Sequence, residues 1–153
     1  MTTSPPAASH LDVLVLRMDP GLDLPAYAGA GDAGLDLQAR SDFTVGPGQR
    51  ELVMTGVAIA LPPGYVGFVS PRSGLARNHG ITVLNSPGVI DASYRGEIGV
   101  IVVNTDTSAE YSGQRGDRIA QLVIIACAQA RVLEVAELPG TVRSGQGFGS
   151  SGV

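Results

Sequence analysis

The sequence predicts an all-β fold in a single domain, and three observations support this prediction. Short segments rich in Val, Ile and other strand-forming residues recur along the 153-residue chain. Turn-forming clusters such as Gly46-Pro47-Gly48 and Pro62-Pro63-Gly64 separate these segments. Glycine is abundant, with 21 residues in the chain, about twice the usual share of ~7%. Together these features are typical of a β-sandwich or β-barrel.

The strands are predicted from the alternation of apolar residues and from the turn residues that end each run. In chain order they are Leu11–Met18, Ala33–Ala39, Phe43–Val45, Glu51–Leu61, Tyr65–Ser70, Ile81–Asn85, Gly88–Asp91, Glu97–Asn104, Ala109–Tyr111 and Asp117–Val135. The last segment is long enough for a helix, but its β-branched residues favour a strand. The segment from Asn85 to Val100 is typical of a β-hairpin with its turn near Ser93–Gly96.

One short helix is predicted at Ser73–Gly80, opened by the serine and closed by the glycine. The chain is expected to consist of a flexible tail at residues 1–10, a folded β-barrel domain at 11–138, and a Gly/Ser-rich arm at 139–153 that becomes ordered on demand.

Composition and charge exclude several classes of protein. A net charge of −4 argues against binding to nucleic acids or acidic membranes, which requires a surplus of basic residues. No apolar run reaches the ~18 residues of a membrane-spanning helix, and MTTSPPAASH lacks the features of a secretory signal. The single cysteine, Cys127, lies in the apolar run LVIIACA and is expected to be a core residue in a reducing compartment. A soluble, cytoplasmic protein is the expectation.

All ten basic residues are arginine. The use of arginine in place of lysine is explained either by the base composition of the genome or by binding of phosphate, which suits the planar guanidinium group.

The stretch GVIDASYRGEIGV places Asp91 directly after the apolar residues Val89 and Ile90, where burial would penalise a charge. Aspartate at the end of a strand is often only a turn former, and Tyr94 could simply pack against a hairpin. The alternative is a functional carboxylate that the strand end holds in place.

Three further motifs have both a functional and an ordinary explanation. AGLDL places Asp36 on a strand beside the core. PRSG brings Arg72, Ser73 and Gly74 to the start of the predicted helix, which would suit an anion, although it is also a common strand-to-helix turn. RIAQLVI puts the amide of Gln121 in an apolar strand, where it needs partners if it faces the core but none if it faces solvent.

The C-terminal segment RSGQGFGSSG combines an arginine, several glycines, one aromatic ring and two serines. An aromatic residue on a glycine-rich arm suits stacking on a nucleobase, and the arm's backbone N–H groups suit phosphate.

In this order and at these spacings, AGLDL, PRSG, G-x-I-D-x-x-Y-R-G, R-I-A-Q and the C-terminal arm resemble the trimeric dUTP pyrophosphatases (dUTPases) over Leu11–Gly152. The resemblance implies a distorted β-barrel or jelly-roll-like subunit with one short helix, assembled as a homotrimer with active sites shared between subunits. It implies Mg²⁺-assisted hydrolysis of dUTP to dUMP and pyrophosphate by attack of water on the α-phosphorus. Such an enzyme lowers dUTP and supplies dUMP for thymidylate synthesis.

The resemblance also assigns roles to individual residues. Asp91 would be the general base, Tyr94 would exclude a 2′-hydroxyl group, and Asp36 would contact Mg²⁺ through water. Uracil would be bound by Asn85 and by the backbone of Val89, Ile90, Asp91 and Gly99. The phosphate chain would be bound by Arg72, Ser73, Gly74 and Gln121. An arm from a neighbouring subunit would close the site with Arg143, Phe148, Gly149, Ser150 and Ser151.

The arm departs from the family pattern R-G-x-G-G-F-G, because Ser144 and Gln146 occupy two of its glycine positions. Ser93 also stands where glycine is frequent in the family.

Two other kinds of protein are alternatives to a dUTPase. A deoxycytidine triphosphate deaminase of the same fold would need a glutamate about ten residues after the aspartate, and Gly99–Asn104 contains no acidic residue. The other alternative is a non-catalytic trimer that binds a nucleotide.

Overall fold

The structure is a computed structural model that describes residues 10–140. Within this range the chain forms ten strands and one short helix. They are β1 (Leu14–Arg17), β2 (Gly34–Gln38), β3 (Phe43–Val45), β4 (Arg50–Ala60), β5 (Tyr65–Pro71), α1 (Ser73–His79), β6 (Ile81–Val83), β7 (Gly88–Ile90), β8 (Glu97–Asn104), β9 (Tyr111–Gly113) and β10 (Arg118–Ala126).

The strands form two four-stranded antiparallel sheets and a two-stranded ribbon. The first sheet has the order β1-β4-β8-β6, the second has the order β2-β10-β5-β7, and the ribbon pairs β3 with β9. Apolar side chains from both four-stranded sheets meet in one buried cluster. The predicted all-β class is confirmed, with two sheets packed around a common core rather than a closed barrel.

Strand β8 contributes most regularly to this core. Its residues alternate between half-buried and buried, with Ile98, Val100, Val102 and Asn104 on the inner side. The period of two follows from the geometry of a strand that presents one face to the core. The predicted bounds of β8 are confirmed.

Strand β4 contains a bulge at Gly56, where its register with β8 shifts between Met54 and Ala58. Gly56 has φ +73°, a left-handed conformation that favours glycine. Its N–H group donates to Oε1 of Glu97 over 2.7 Å, and the same carboxylate accepts from Nη1 of Arg40 at 2.9 Å. The bulge therefore anchors the beginning of β8.

The predicted end of the last strand was wrong. β10 ends at Ala126, which pairs with Tyr65, the first residue of β5. Beyond that point the partner strand is missing, and the N–H group of Cys127 bonds to the carbonyl oxygen of Gly64 in the turn. Cys127 is exposed, so its assignment to the core was also wrong.

The predicted β-hairpin between Asn85 and Val100 was wrong as well. β7 pairs with β5 in one sheet, whereas β8 pairs with β4 and β6 in the other. The segment between them therefore crosses from one sheet to the other. The N–H group of Tyr94 donates to the carbonyl oxygen of Asp91 over 3.0 Å and closes a turn over residues 91–94. This turn comes earlier in the chain than the predicted turn near Ser93–Gly96.

Two smaller differences concern ends of elements. The helix is preceded by Arg72 rather than capped by the Ser73 side chain, and Gly80 ends it in the left-handed conformation, with φ 64°. β9 begins at Tyr111 because the carboxylate of Asp106 binds the N–H groups of Ser108 and Ala109 in a turn. No helix in residues 10–140 is long and apolar enough to cross a membrane.

Candidate functional site: two cavities and an exposed carboxylate

The first group of predicted site residues lines one cavity of about 460 Å³, which we call the arginine cavity. Asp36, Arg72, Ser73, Gly74 and Gln121, the residues predicted to contact phosphate and metal, all lie in its wall. The remaining lining residues are Ala28, Asp32, Ala33, Gly34 and Val123.

These residues meet because β10 lies between β2 and β5. Gln121 on β10 is opposite Asp36 on β2 and opposite Ser70 on β5, just before the residues that lead into α1. The side chain of Gln121 is half-buried, and its Nε2 donates to the carbonyl oxygen of Pro71 over 3.0 Å. The amide of Gln121 therefore has a protein partner and also faces the cavity.

An acidic side chain lies between two arginines at this cavity. Oδ1 of Asp36 is 3.1 Å from Nε of Arg72, and Oδ2 is 3.2 Å from Nη1 of Arg118. Nη1 of Arg72 also donates to the carbonyl oxygen of Arg118 over 3.2 Å. Charge-assisted contacts of this kind fix the orientation of a guanidinium group.

The second group of predicted site residues lines a smaller cavity of about 190 Å³ beside β7, which we call the edge-strand cavity. It contains the residues predicted to contact the base and the sugar: Asn85, Val89, Ile90, Tyr94 and Gly99. Val69, Val83 and Gly88 complete the lining. β7 is the last strand of its sheet, so one side of its backbone has no neighbouring strand within the described residues. An edge strand presents unpaired N–H and C=O groups that can recognise a ligand.

Two contacts restrain the ring of Tyr94, a hydrogen bond to Glu97 and a close approach to Gly96. Its hydroxyl group donates to the carbonyl oxygen of Glu97 over 2.9 Å. A side chain at Gly96 would collide with the same ring, since an added Cβ would lie 2.7 Å from Cζ of Tyr94. The turn after Asp91 therefore fixes a half-exposed aromatic ring at the wall of the cavity.

Asp91 does not line either of these cavities. Its side chain is exposed and lies in the wall of a third cavity of about 680 Å³, together with Phe68, Arg95 and Cys127. The expectation that burial penalises its charge is therefore wrong for the single chain. Val89 lines both the third cavity and the edge-strand cavity, so the carboxylate is adjacent to the residues predicted to bind the base.

The electrostatics near Arg72 include one perturbed phenol. Burial raises the pKa of Tyr111, the negative charge of Asp117 raises it further, and the positive charge of Arg72 opposes both effects. Tyr111 is therefore a neutral phenol at physiological pH and adds no negative charge near Arg72.

The predicted residues of the C-terminal arm, Arg143, Phe148, Gly149, Ser150 and Ser151, lie outside the described residues, as do Ser144 and Gln146.

Comparison with known proteins identifies the family. A family model described as dUTPase matches residues 21–152. The chain belongs to the dUTPase family.

Bacterial members of the dUTPase family are similar to this chain over most of its length. The deoxyuridine 5'-triphosphate nucleotidohydrolase of Thermobifida fusca is 52% identical over 147 residues, which cover 96% of this chain and 82% of the relative. The protein of the same name from Streptomyces coelicolor is 53% identical over 142 residues, which cover 93% and 78%. Among solved structures, the dUTPase of Staphylococcus bacteriophage 80alpha with dUPNHPP superposes with a TM-score of 0.86 at 27% identity, covering 93% of this chain and 99% of that one.

Within this dUTPase-family chain, sequence reasoning left two charged residues without a role, one that lines the arginine cavity (Asp32) and one that only pairs with a lining residue (Arg118). Arg118 pairs with Asp36, and Asp32 lines the cavity while its Oδ2 accepts from the N–H group of Gly29 over 2.8 Å. Arg118 belongs to the motif R-I-A-Q, in which only Gln121 received a role. The pairing of β2 with β10 brings Arg118 to Asp36, and that pairing was not predictable from the motif.

Proposed function

We propose that the chain hydrolyses dUTP to dUMP and pyrophosphate, with water as the nucleophile at the α-phosphorus. The observation that carries this proposal is the division of the predicted residues. Those for the base and sugar line the edge-strand cavity, and those for the phosphates line the arginine cavity. A nucleoside triphosphate has the same two parts, a planar base with its sugar and a chain of negative charge.

Uracil is bound in the edge-strand cavity. The unpaired backbone of β7 at Val89 and Ile90, with Gly99 and the amide of Asn85, supplies donors and acceptors for the edge of the base. In a site from which water is excluded, cytosine would leave these groups facing wrong partners. Sites of this kind reject such analogues by about 10²–10⁵-fold.

The sugar is selected by Tyr94. Its ring is fixed by the hydrogen bond to Glu97 and by the contact with Gly96, so it cannot easily move aside for a larger sugar. A 2′-hydroxyl group would meet this ring, and UTP is therefore rejected by its shape.

The phosphate chain is bound by Arg72, Ser73, Gly74 and Gln121. Arg72 supplies positive charge, and Gln121 faces the same cavity with its amide. A Cβ atom at Gly74 would meet no atom within 4 Å, so the backbone there is open to a ligand. Phosphoryl transfer depends mainly on such alignment and charge neutralisation.

Asp91 orients and deprotonates the attacking water. Its exposed carboxylate follows β7 directly, and the turn to Tyr94 holds its backbone, so it is a positioned base. It lies next to Val89, on the side of the edge-strand cavity where the base and sugar are proposed to bind.

The cofactor is Mg²⁺. Among residues 10–140 there is no group of three or more His, Cys, Asp or Glu side chains arranged to hold a metal ion, and both oxygens of Asp36 already face guanidinium groups. This donor set fits an ion that is bound by the phosphates of the substrate and keeps several waters, one of which Asp36 contacts. When bound, Mg²⁺ neutralises charge on the phosphates.

The active enzyme is a homotrimer whose sites combine parts of different subunits. In one chain, no described residue lines both the arginine cavity and the edge-strand cavity, and Asp91 lies in the wall of a third. Large apolar side chains are exposed on β1 and after β10, including Leu14 at 73% and Val132 at 90%. Exposed apolar groups of this extent mark surfaces that other chains cover. The arm at residues 139–153, with Arg143, Phe148, Gly149, Ser150 and Ser151, would complete the site from a neighbouring subunit.

An exposed thiol at Cys127 suits the reducing cytoplasm, which we propose as the location of the protein.

The proposal is tested by measuring pyrophosphate release from each deoxynucleoside triphosphate and from UTP, with Mg²⁺ and with a chelator. We expect release from dUTP alone, lost with the chelator and lowered by about 10²–10⁴-fold in Asp91→Asn. The Asp91→Asn variant should still bind a non-hydrolysable dUTP analogue, because the change removes only the proton acceptor. If the wild-type protein binds dUTP without hydrolysing it, the chain is a nucleotide-binding protein and the proposed reaction is wrong.

A further inference from the structure

Gly34 lies on β2 in the wall of the arginine cavity, and the backbone does not explain why this position is a glycine. It is not among the glycines of the described residues that have a positive φ, so other residues could adopt its conformation. A glycine within a strand weakens that strand, because it has no side chain to pack and more backbone freedom to lose. The explanation must therefore lie in the space that a side chain would occupy.

That space is occupied by the side chain of Gln121. The three atoms nearest to a Cβ added at Gly34 all belong to this glutamine: Oε1, which would collide with it, Cδ at 3.0 Å and Cβ at 3.1 Å. Gln121 is opposite Asp36 on β2, and Gly34 is opposite Val123 on β10, so Gly34 and Gln121 are diagonal neighbours on one face of the sheet. The side chain of Gln121 therefore lies over the backbone of Gly34.

The amide group of Gln121 has its two ends directed at different strands. Its Nε2 donates to the carbonyl oxygen of Pro71 on β5 over 3.0 Å, and its Oε1 is the atom that a Cβ at Gly34 would meet first. A carbonyl oxygen can only accept, so the nitrogen end must face Pro71 and the oxygen end must face Gly34. Pro71 directly precedes Arg72, the first of the other residues proposed to bind phosphate.

One N–H group of the same amide remains for a ligand. The Nε2 atom of a glutamine carries two hydrogens, and the bond to Pro71 uses one of them. Because Gln121 lines the arginine cavity, the second hydrogen can be donated to a phosphate oxygen there. A hydrogen bond to a charged acceptor is stronger than one between neutral groups, but it requires a donor that points at the ligand.

We infer that Gly34 is a positioning residue for phosphate binding, because the absence of a side chain there allows the amide of Gln121 to bind Pro71 and to face the arginine cavity at the same time. This inference rests on the proposed function, since it assumes that the arginine cavity takes the phosphate chain. The group that a methyl at position 34 would displace is the end of a flexible side chain. The amide therefore turns away with little effect on the fold, and the loss falls on the ligand.

The decisive measurement is the binding of the α,β-imido analogue of dUTP with Mg²⁺, by titration calorimetry, to Gly34→Ala, Gln121→Ala and the double variant. We expect each single variant to bind the analogue on the order of tenfold more weakly than the wild type, because a hydrogen bond to a charged group is lost. The double variant should bind no more weakly than Gln121→Ala alone, because no amide is left to displace. The affinity for deoxyuridine, which carries no phosphate, should change by less than about twofold in all three variants.

Gly46→Ala is the matched control. A Cβ added at Gly46 would also lie against the amide of a glutamine, 3.0 Å from Oε1 of Gln49, and Gly46 is likewise not among the described glycines with a positive φ. Gly46 lines neither the arginine cavity nor the edge-strand cavity, so binding of the analogue should change by less than about twofold. This control repeats the crowding of a glutamine by a new methyl group away from the proposed phosphate site.

Urea unfolding of the same variants tests whether Gly34 serves the fold instead. The midpoint of Gly34→Ala should stay close to that of the wild type, because the end of the Gln121 side chain can move aside. If Gly34→Ala does not fold, or if its midpoint falls as far with Gln121→Ala as without it, the glycine serves the packing of β2 and the inference is wrong.

The outcomes also separate this inference from the proposed function. Wild-type affinity of Gly34→Ala for the analogue would overturn the inference while the dUTPase reaction stands, and so would a further loss in the double variant beyond that of Gln121→Ala. Equal losses for the analogue and for deoxyuridine would show a general distortion and would also overturn it. If the wild-type protein itself binds no analogue, the proposed function fails and this inference fails with it.

Discussion

The hydroxyl group of Tyr94 donates to the carbonyl oxygen of Glu97 across 2.9 Å, so the aromatic ring and the beginning of β8 are held together. The carboxylate of Glu97 in turn binds the N–H group of Gly56 and the side chain of Arg40. The orientation of the ring therefore depends on the bulge in β4 as well as on its own turn.

Tyr94→Ala is expected to relax sugar selectivity. Removing the ring opens the space that a 2′-hydroxyl group needs, so the ratio of kcat/KM for dUTP to that for UTP should fall on the order of tenfold or more. Tyr94→Phe keeps the ring and should retain most of the selectivity, while losing a hydrogen bond worth about 1 kcal/mol. Steady-state kinetics with both substrates measures this ratio, and unchanged selectivity in Tyr94→Ala would contradict the steric role.

Gly96→Ala is expected to produce the same loss without touching the tyrosine. The new Cβ would lie 2.7 Å from Cζ of Tyr94, so the ring must move from its position. Selectivity against UTP should fall toward that of Tyr94→Ala. Gly29→Ala is the control, since a Cβ there makes only an ordinary van der Waals contact, 3.4 Å from Oδ2 of Asp32, and Gly29 lines neither the edge-strand cavity nor the arginine cavity. Wild-type selectivity in Gly96→Ala would mean that the ring tolerates displacement.

Asn104 is expected to be a major determinant of stability. It is fully buried, its Nδ2 donates to the carbonyl oxygens of Val45 and Ala109, and its Oδ1 accepts from the N–H group of Asp106. Asn104→Ala leaves these backbone groups without partners, which should lower the free energy of unfolding by about 3 kcal/mol. Urea denaturation at fixed protein concentration measures the change. The exposed Asn78 of α1 provides the control, because Asn78→Ala should change stability by less than about 0.5 kcal/mol.

Asp106 is expected to stabilise the fold in a pH-dependent manner. Hydrogen bonds from the backbone of Ala109 and Ser108 lower the pKa of its carboxyl group below the ordinary value of 3.8. A carboxyl group whose pKa is lower in the folded state stabilises the protein above its unfolded pKa, and this contribution is lost as the pH falls through the folded pKa.

The midpoint of urea unfolding should therefore be lower in Asp106→Asn than in the wild type at about pH 7, and the difference should shrink below about pH 3.8. Asp23→Asn is the control, because the exposed side chain of Asp23 makes no hydrogen bond within the described residues. A difference that is constant from neutral to acidic pH would exclude the ionised carboxylate as the cause.

The sequence predicted local features well, because they depend on neighbouring residues. The alternation along β8 and the left-handed glycine at the end of α1 are confirmed, since each follows from side-chain periodicity or from glycine's conformational freedom. The grouping of Asp36, Arg72 and Gln121 in one cavity also agrees with the motifs.

Features that depend on distant strands were not predictable. β7 and β8 have the pattern of a hairpin, but their partners lie in different sheets. β10 has enough apolar residues to continue, but it ends at Ala126 because β5 begins at Tyr65. The pairing of Arg118 with Asp36 needs the register between β2 and β10, which no single motif contains.

The proposed sharing of active sites predicts that two inactive variants restore activity when they are mixed. Arg72→Ala removes a positive charge from the arginine cavity. Asp91→Asn removes the carboxylate that is proposed as the general base, next to the edge-strand cavity. If one active site takes these two parts from different subunits, random 1:1 assembly leaves roughly a quarter of the sites with both parts intact. We therefore expect each variant alone to be nearly inactive. A mixture of the two variants that is unfolded together in urea and then refolded should recover roughly a quarter of wild-type pyrophosphate release.

Variants that are refolded separately and then assayed together without exchange of subunits serve as the control. If the refolded mixture is no more active than that control, Arg72 and Asp91 serve the same site from one subunit.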